Sequence, residues 1–250
     1  MQISLSCEQP QKVKWNEFAN LINSLNIKLT INLACTSPES FSWWKREISK
    51  KTNNLSFIPW PLLKESQGYW FSSFIKKEHI DRLSRFKELN IRVDIEPPYS
   101  KSLFKWLSCF FKKGRNGHYL EKTLSQLPKY SISTFPLPKF ILKRLGVPKA
   151  EYNYFLFPSI IPKLLRPFYL LYVKIFLSRY KKSYILGLTG SGKFKEITKN
   201  YKSEKELQRD LKWLKKNNIQ EVAIYSLEGI MKRKEPKNWL KIIKKFQRKN

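Results

Sequence analysis

Histidine is almost missing from this sequence. Its two copies, His79 and His118, stand in a helix-like stretch and in a glycine-flanked loop, with neither H-x-H nor H-E-x-x-H spacing. Histidine-ligated metal hydrolysis is therefore disfavoured. So are barrel phosphodiesterases that work through catalytic histidines. Cysteine is scarce as well: Cys7, Cys35 and Cys109 are an odd number at no metal-type spacing. They read as reduced thiols of a cytoplasmic protein. Cys35 at a strand end could act as a nucleophile, against the commoner reading of a buried structural thiol. A basic leader with an apolar core is lacking too. Met1 runs almost directly into "ISLSC", so no secretory signal is expected. Nor is there an unbroken apolar run of spanning length. The most apolar stretch, residues 154 to 177, carries Lys163, Arg166, Lys174 and three prolines. A spanning helix needs about 20 apolar residues without such breaks, so a transmembrane segment is rejected. A helix lying on a membrane surface stays open.

Negative charge is the other scarcity. Against 49 Lys+Arg there are 19 Asp+Glu, a net charge of +30. That points to an anionic partner (a polymer or a lipid surface) or to a lysine-rich composition alone. Two segments concentrate it. Residues 139 to 182 hold ten Lys/Arg and one acid, Glu151; residues 231 to 250 hold nine Lys/Arg and one acid, Glu235. No nucleic-acid motif with interleaved aromatics accompanies them. With 42% hydrophobic and 15% aromatic residues in 250, the chain can build a core and wholesale disorder is excluded.

What is present is a repeated alternation. Eight short β-rich runs end at turn residues: 2–7, 27–35, 55–63, 91–97, 130–137, 152–158, 183–190 and 221–229. Helix-length stretches follow each one. Ser37 with Pro38 behind it predicts a capped helix start after the second run. Alternating strand and helix implies a parallel sheet. Eight such units, with a helix closing the chain, predict a single-domain (β/α)8 TIM-like barrel over residues 1–250; an open doubly wound parallel sheet is the alternative. Period-2 alternation supports the barrel. Ile3 and Leu5 oppose Ser4, Ser6 and Glu8. Leu29, Ile31 and Leu33 oppose Thr30, Asn32 and Thr36. Val93 and Ile95 oppose Arg92, Asp94 and Glu96. The apolar sets pack under helices, and the polar sets line the interior and rise to the C-terminal strand ends, where barrel enzymes place their sites.

Candidate chemistry sits at those ends. Glu8, Asp94, Glu96 and Glu228 are the carboxylates expected there. Glycosidic cleavage needs a protonated acid for the leaving oxygen and a second carboxylate as nucleophile, base or stabiliser. Glu96 is the expected proton donor and Asp94 the partner that tunes it, with Glu8 and Glu228 as second-carboxylate candidates. The plainer reading pairs Asp94 with Arg92 and leaves both structural. Trp60, Tyr69, Trp70, Tyr99 and Arg92 are the expected substrate contacts. No cofactor is expected, although Mg²⁺ on Glu8, Asp94 and Glu96 stays open. "GLTGSGKF", residues 187 to 194, has P-loop spacing, but Phe194 stands where Ser or Thr should hold Mg²⁺. A milder role remains for Gly190, Ser191, Gly192 and Lys193 as a phosphate cradle after the seventh strand.

"RVDIE", residues 92–96, resembles the strand-four end of the chitinase-type glycosidases of family 18, whose D-x-D-x-E run finishes in a catalytic Glu. The resemblance implies that Glu96 is the acid and Asp94 its partner. It departs from that family at Arg92, which stands in place of the first Asp, and in lacking the glycine-rich strand-three signature. The wider pattern ("WPLL", "GYW", "VDIEPP", "GLTGSGK", "LEGI") looks like a separate barrel family. The expectation is a glycosidase-like hydrolase acting on a carbohydrate or other polar, anionic substrate. Two alternatives stand beside it: a non-catalytic basic barrel that binds an anionic polymer or membrane surface, and a phosphate-ligand enzyme built on the strand-seven glycine loop.

Overall fold

The computed structural model describes residues 1–98, 100, 102, 105, 108–148, 151–157, 164–179, 183–187, 189–190 and 200–247. Within them the chain forms eight strands: β1 Gln2–Cys7, β2 Leu29–Cys35, β3 Leu55–Pro61, β4 Ile91–Asp94, β5 Tyr130–Thr134, β6 Glu151–Leu156, β7 Ser183–Gly187 and β8 Glu221–Tyr225. They make one sheet in the order β3-β2-β1-β8-β7-β6-β5-β4. The registered pairs are parallel, with Ser4 opposite Thr30, Ile3 opposite Val222, Ile185 opposite Ala223 and Val93 opposite Ile132. The chain after β3 returns to β4 through a parallel bridge between Phe71 and Ile95. Strands and helices alternate along the chain. This is the (β/α)8 barrel that the alternation predicts.

The helices among the described residues are α1 Trp15–Leu25, α2 Pro38–Ser49, α3 Lys77–Ile80, α4 Gly117–Ser125, α5 Lys139–Arg144, α6 Arg166–Arg179, α7 Glu204–Lys216, α8 Leu227–Met231 and α9 Pro236–Phe246. Their buried residues fall at helical spacing: Trp15, Phe18, Ala19 and Ile22 on α1, Leu207, Leu211 and Leu214 on α7, and Trp239, Leu240, Ile243 and Phe246 on α9. The cap predicted before α2 is present. Ser37 Oγ accepts from Ser40 N at 3.2 Å, and Ser40 Oγ accepts from Ser37 N at 3.2 Å.

By contact, the chain divides into two compact units. One comprises Met1–Leu33, Trp44–Phe57 and Tyr154–Asn250; the other comprises Ala34–Trp43 and Ile58–Asn153. In the first, Asn32 Nδ2 donates to Ser4 Oγ at 3.2 Å, a polar tie between β1 and β2. In the second, Asn116 Nδ2 donates to Ile75 O at 2.7 Å and anchors the start of α4.

Several boundaries differ from the sequence reading. The eighth strand ends at Tyr225, four residues early, because Ser226 caps α8 by accepting from Gly229 N at 3.4 Å. Glu228 therefore sits in the first turn of a short helix. The fifth strand stops at Thr134, short of Pro136. The fourth stops at Asp94, and Ile95 joins it only as a bridge. The helix-length stretch after β3 forms one α-turn, α3, continued as a 3-10 helix over Asp81–Phe86. In the helix-length stretch after β4, residues 101, 103, 104, 106 and 107 lie outside the described residues, and Cys109–Phe111 form a 3-10 turn. Helix α4, which buries Leu120, Thr123 and Leu124, is not among the expected elements.

One buried charge holds α6 to α7. Asp210 accepts from Arg166 Nη2 at 2.8 and 3.0 Å and from the Tyr201 hydroxyl at 2.8 Å. Burial pushes the Tyr201 hydroxyl up in pKa, and the neighbouring Asp210 charge adds to that. Asp210→Ala would leave the Arg166 guanidinium and the Tyr201 hydroxyl without this partner, and should cost about 3 kcal/mol. Urea unfolding of the variant against the wild type measures it; an unchanged midpoint would remove the network from the stability of the fold.

Candidate functional site

In the second unit, a polar cluster grows from β4 and β5. Parallel pairing sets Arg92 opposite Ser131 and Asp94 opposite Ser133. Arg92 Nε donates to Ser133 Oγ at 2.7 Å and lies 3.4 Å from Asp94 Oδ1. Its guanidinium carbon stands 5.1 Å from the centre of the Trp60 ring, a cation–π contact. Arg92, Asp94, Glu96 and Trp60 are all buried. Burial raises the pKa of the Asp94 carboxyl; the Arg92 charge opposes this, as do hydrogen bonds from Ser133, Arg92 and Trp60, without cancelling it. Glu96 follows one residue past the bridge, where its backbone N donates to Phe71 O at 3.1 Å. Pro97 and Pro98 come next and end the ladder. Thr134, at the end of β5, buries a hydroxyl that has no hydrogen-bond partner among the described residues.

The aromatic candidates are placed variously. Trp60 is buried, and its ring meets Arg92. Trp70 is buried and meets the half-buried Tyr69 edge to face, with centroids 5.2 Å apart. Neither tryptophan exposes a ring face. Tyr99 lies outside the described residues. Cys35 closes β2, where its carbonyl accepts from Leu62 N at 2.9 Å. Burial pushes its thiol up to about 12, which is the profile of an inert thiol.

In the first unit, β1 and β8 bring Glu8 and Glu228 together around Cys7. Ser6 stands opposite Tyr225 in the ladder, and the Tyr225 hydroxyl donates to Glu8 Oε2. The backbone N of Gln9 donates to Glu228 Oε1. The Cys7 thiol is pushed well up in pKa, first by burial, then by the Glu228 charge and hydrogen bond, then by Glu8. Glu8 and Glu228 are both buried. Sequence reasoning named both acids but missed Tyr225 and Cys7. Each occupies an ordinary strand position, and only the ladder register brings them to the acids.

After β7, Thr189 is a structural tie. Its N donates to Tyr225 O at 3.0 Å; its hydroxyl donates to Ser226 O at 2.6 Å and accepts from Ser226 N at 2.8 Å. Gly190 adopts φ +120°, a conformation that only glycine takes without strain. Arg233 donates to the carbonyls of Thr189 and Tyr201, the latter at 2.7 Å. Ser191, Gly192 and Lys193 lie outside the described residues. Among those described, no group of three or more His, Cys, Asp and Glu side chains could hold a metal ion.

Two expectations follow. Asp94, with its pKa raised, favours the folded state in its protonated form. That contribution is fully present below its ordinary value of 3.8 and is lost as pH rises through the native value. The stability difference between wild type and Asp94→Asn should therefore shift against the wild type as pH rises above that point. Urea unfolding at a series of pH values reads the slope, and parallel curves would refute it. Second, Cys7 and Cys35 are buried and Cys109 is only half-buried. At pH 8, iodoacetamide should label Cys109 in the native protein and the other two only after unfolding, as peptide mass spectrometry would show; rapid native labelling of Cys35 would restore its candidacy as a nucleophile.

No protein-family model and no curated protein matches the sequence. In three dimensions the chain is similar to the PgaB (BpsB) glycoside hydrolase domain from Bordetella bronchiseptica, with a TM-score of 0.62 at 7% identity, covering 100% of this chain and 99% of that one. It is also similar to a xylose isomerase domain protein from Planctomyces limnophilus, with a TM-score of 0.50 at 8% identity, covering 98% and 95%. At such identities the likeness is one of fold, and the fold shared is the (β/α)8 barrel.

Proposed function

We propose that the protein is a glycosidase-like hydrolase in which Glu96 donates the proton to the leaving oxygen and Asp94 tunes it. The observation that carries this reading is the burial of two carboxylates, Asp94 and Glu96, within three residues at the end of β4. A chain of net charge +30 has cations to spare for pairing acids at its surface. Burying a carboxylate costs several kcal/mol before compensation, and strand termination alone needs only the prolines. Glycosidic cleavage asks for a proton-donating acid and a second carboxylate close to it. Arg92 lies 3.4 Å from Asp94 and opposes, without cancelling, the upward push that burial gives its pKa. One fold neighbour is a glycoside hydrolase domain, which agrees with this reading. The excess of cations favours a polar, anionic carbohydrate as substrate.

Glu8 and Glu228 are candidates for a second carboxylate, and their glutamine variants extend the same test. A panel of aryl glycosides and polysaccharides is assayed by release of aglycone or reducing ends. On any substrate turned over, Glu96→Gln should lower kcat by about a thousandfold with little change in KM, the usual scale for loss of a general acid. Circular dichroism confirms the fold. A fully active Glu96→Gln, or no turnover across the panel by the wild type, overturns the proposal.

A further inference from the structure

Helix α6 is turned inside out relative to an ordinary barrel helix. At 100° per residue, Phe168, Leu171 and Ile175 fall on one stripe of α6, spaced by three and four residues, with Tyr172 beside it; Leu164 and Leu165 stand in the turn that leads into the helix. All six are exposed: Leu164 by 83%, Phe168 by 70%, Leu171 by 55% and Ile175 by 56%. Val173, on the opposite face, is fully buried. The stripe therefore faces away from the protein. Isolated exposed apolar residues need no explanation, but six on one helix and the turn before it mark a contact surface.

The neighbouring helix supplies charge. On α7, Lys205, Arg209, Lys212 and Lys216 recur at the same spacing of four, three and four, and all four are exposed. Leu207, Leu211 and Leu214 occupy the buried side. The ion pair from Arg166 to Asp210 ties the two helices together. Helix α7 has three acids: Glu204 and Glu206 stand in its first turn and off the stripe, where Glu206 accepts from Lys202 N at 2.8 Å, and Asp210 is buried, accepting from Arg209 Nε at 3.3 Å. Between residues 164 and 182 the sequence has no acid at all.

We infer that α6 and α7 form a docking surface for an anionic phospholipid bilayer. The α6 stripe inserts at the headgroup boundary and the α7 cations lie over acidic headgroups. A helix in this position buries its apolar face about 5–10 Å deep, and cations beside it add attraction to acidic lipid. Charge selects this occupant. A second copy of the chain would bring +30 against +30. A polyanion such as nucleic acid would use the cations and leave the apolar stripe idle. Among the described residues no helix is long and apolar enough to cross a membrane, so the contact is peripheral. It is independent of the proposed hydrolysis.

The test is co-sedimentation of the full chain with vesicles of phosphatidylcholine containing about one-third phosphatidylglycerol, against phosphatidylcholine alone. Wild type should bind the acidic vesicles and release at high salt. Phe168→Ser/Leu171→Ser/Ile175→Ser should weaken binding by about tenfold or more, and Lys205→Gln/Arg209→Gln/Lys212→Gln/Lys216→Gln by about as much. All seven side chains are exposed, and thermal unfolding checks that both variants stay folded. Three outcomes overturn the inference. The wild type binds neither vesicle, or both equally. The apolar variant keeps full binding, which would mean adsorption by charge alone. Or sedimentation shows a dimer that the apolar variant abolishes, which would assign the stripe to a second copy.

Discussion

A parallel sheet wrapped into a barrel has no wet face. Helices cover its outside, and its own side chains fill the inside. Every polar group that points inward has to find its partner in protein. The described structure meets that constraint repeatedly. Asn32 reaches Ser4, Tyr225 reaches Glu8, Arg92 reaches Ser133 and Asp94, and Thr189 closes on Ser226. The strand register decides which of these pairs can form. A slip of one residue between β4 and β5 would turn Ser133 away from Arg92 and leave two opposite charges buried with less to hold them. Architecture and candidate chemistry therefore depend on the same alternation.

That dependence explains what could be read from the sequence. Apolar-polar alternation in β1, β2 and β4 carries the strand positions and the faces of their side chains, so the barrel and its inward acids were legible. Ser37 and Pro38 announced a helix start because capping is local chemistry. Partners across strands were not legible. Nothing near Tyr225 announces Glu8, and nothing near Cys7 announces Glu228, because register is fixed by packing over the whole sheet. Strand ends failed where a local competitor intervened, as Ser226 does by starting a helix where alternation alone would continue β8. Trp60 read as an aromatic for a substrate; its ring is taken by Arg92, a partner 32 positions away in the chain.

The charge of the molecule is sorted rather than merely large. Among the described residues five acids, Glu8, Asp94, Glu96, Asp210 and Glu228, are buried. Asp210 works as a structural clamp. Glu8 and Glu228 lie in the first compact unit, and Asp94 and Glu96 in the second. Of the cations, Arg92 is drawn in to meet the acids, while the α7 row stays in solvent. Depleting the surface of acids sharpens its positive field, and concentrating acids indoors supplies the groups whose protonation can be tuned by burial. One composition thus serves two ends of the molecule's physics.

Gly229 shows how tightly one of these arrangements is set. It lies inside α8, where glycine costs about 1 kcal/mol relative to alanine. A Cβ at this position would fall 2.7 Å from the carbonyl carbon of Thr189 and 2.9 Å from the backbone N of Gly190. The obstruction is main chain, so no rotamer change relieves it. Position 229 therefore has an alphabet of one letter for as long as the chain leaving β7 keeps its path. Any lineage that altered that letter would first have to redraw the loop, and the loop is fastened by Thr189 to the very turn that begins α8. The two stretches can be rewritten together or not at all.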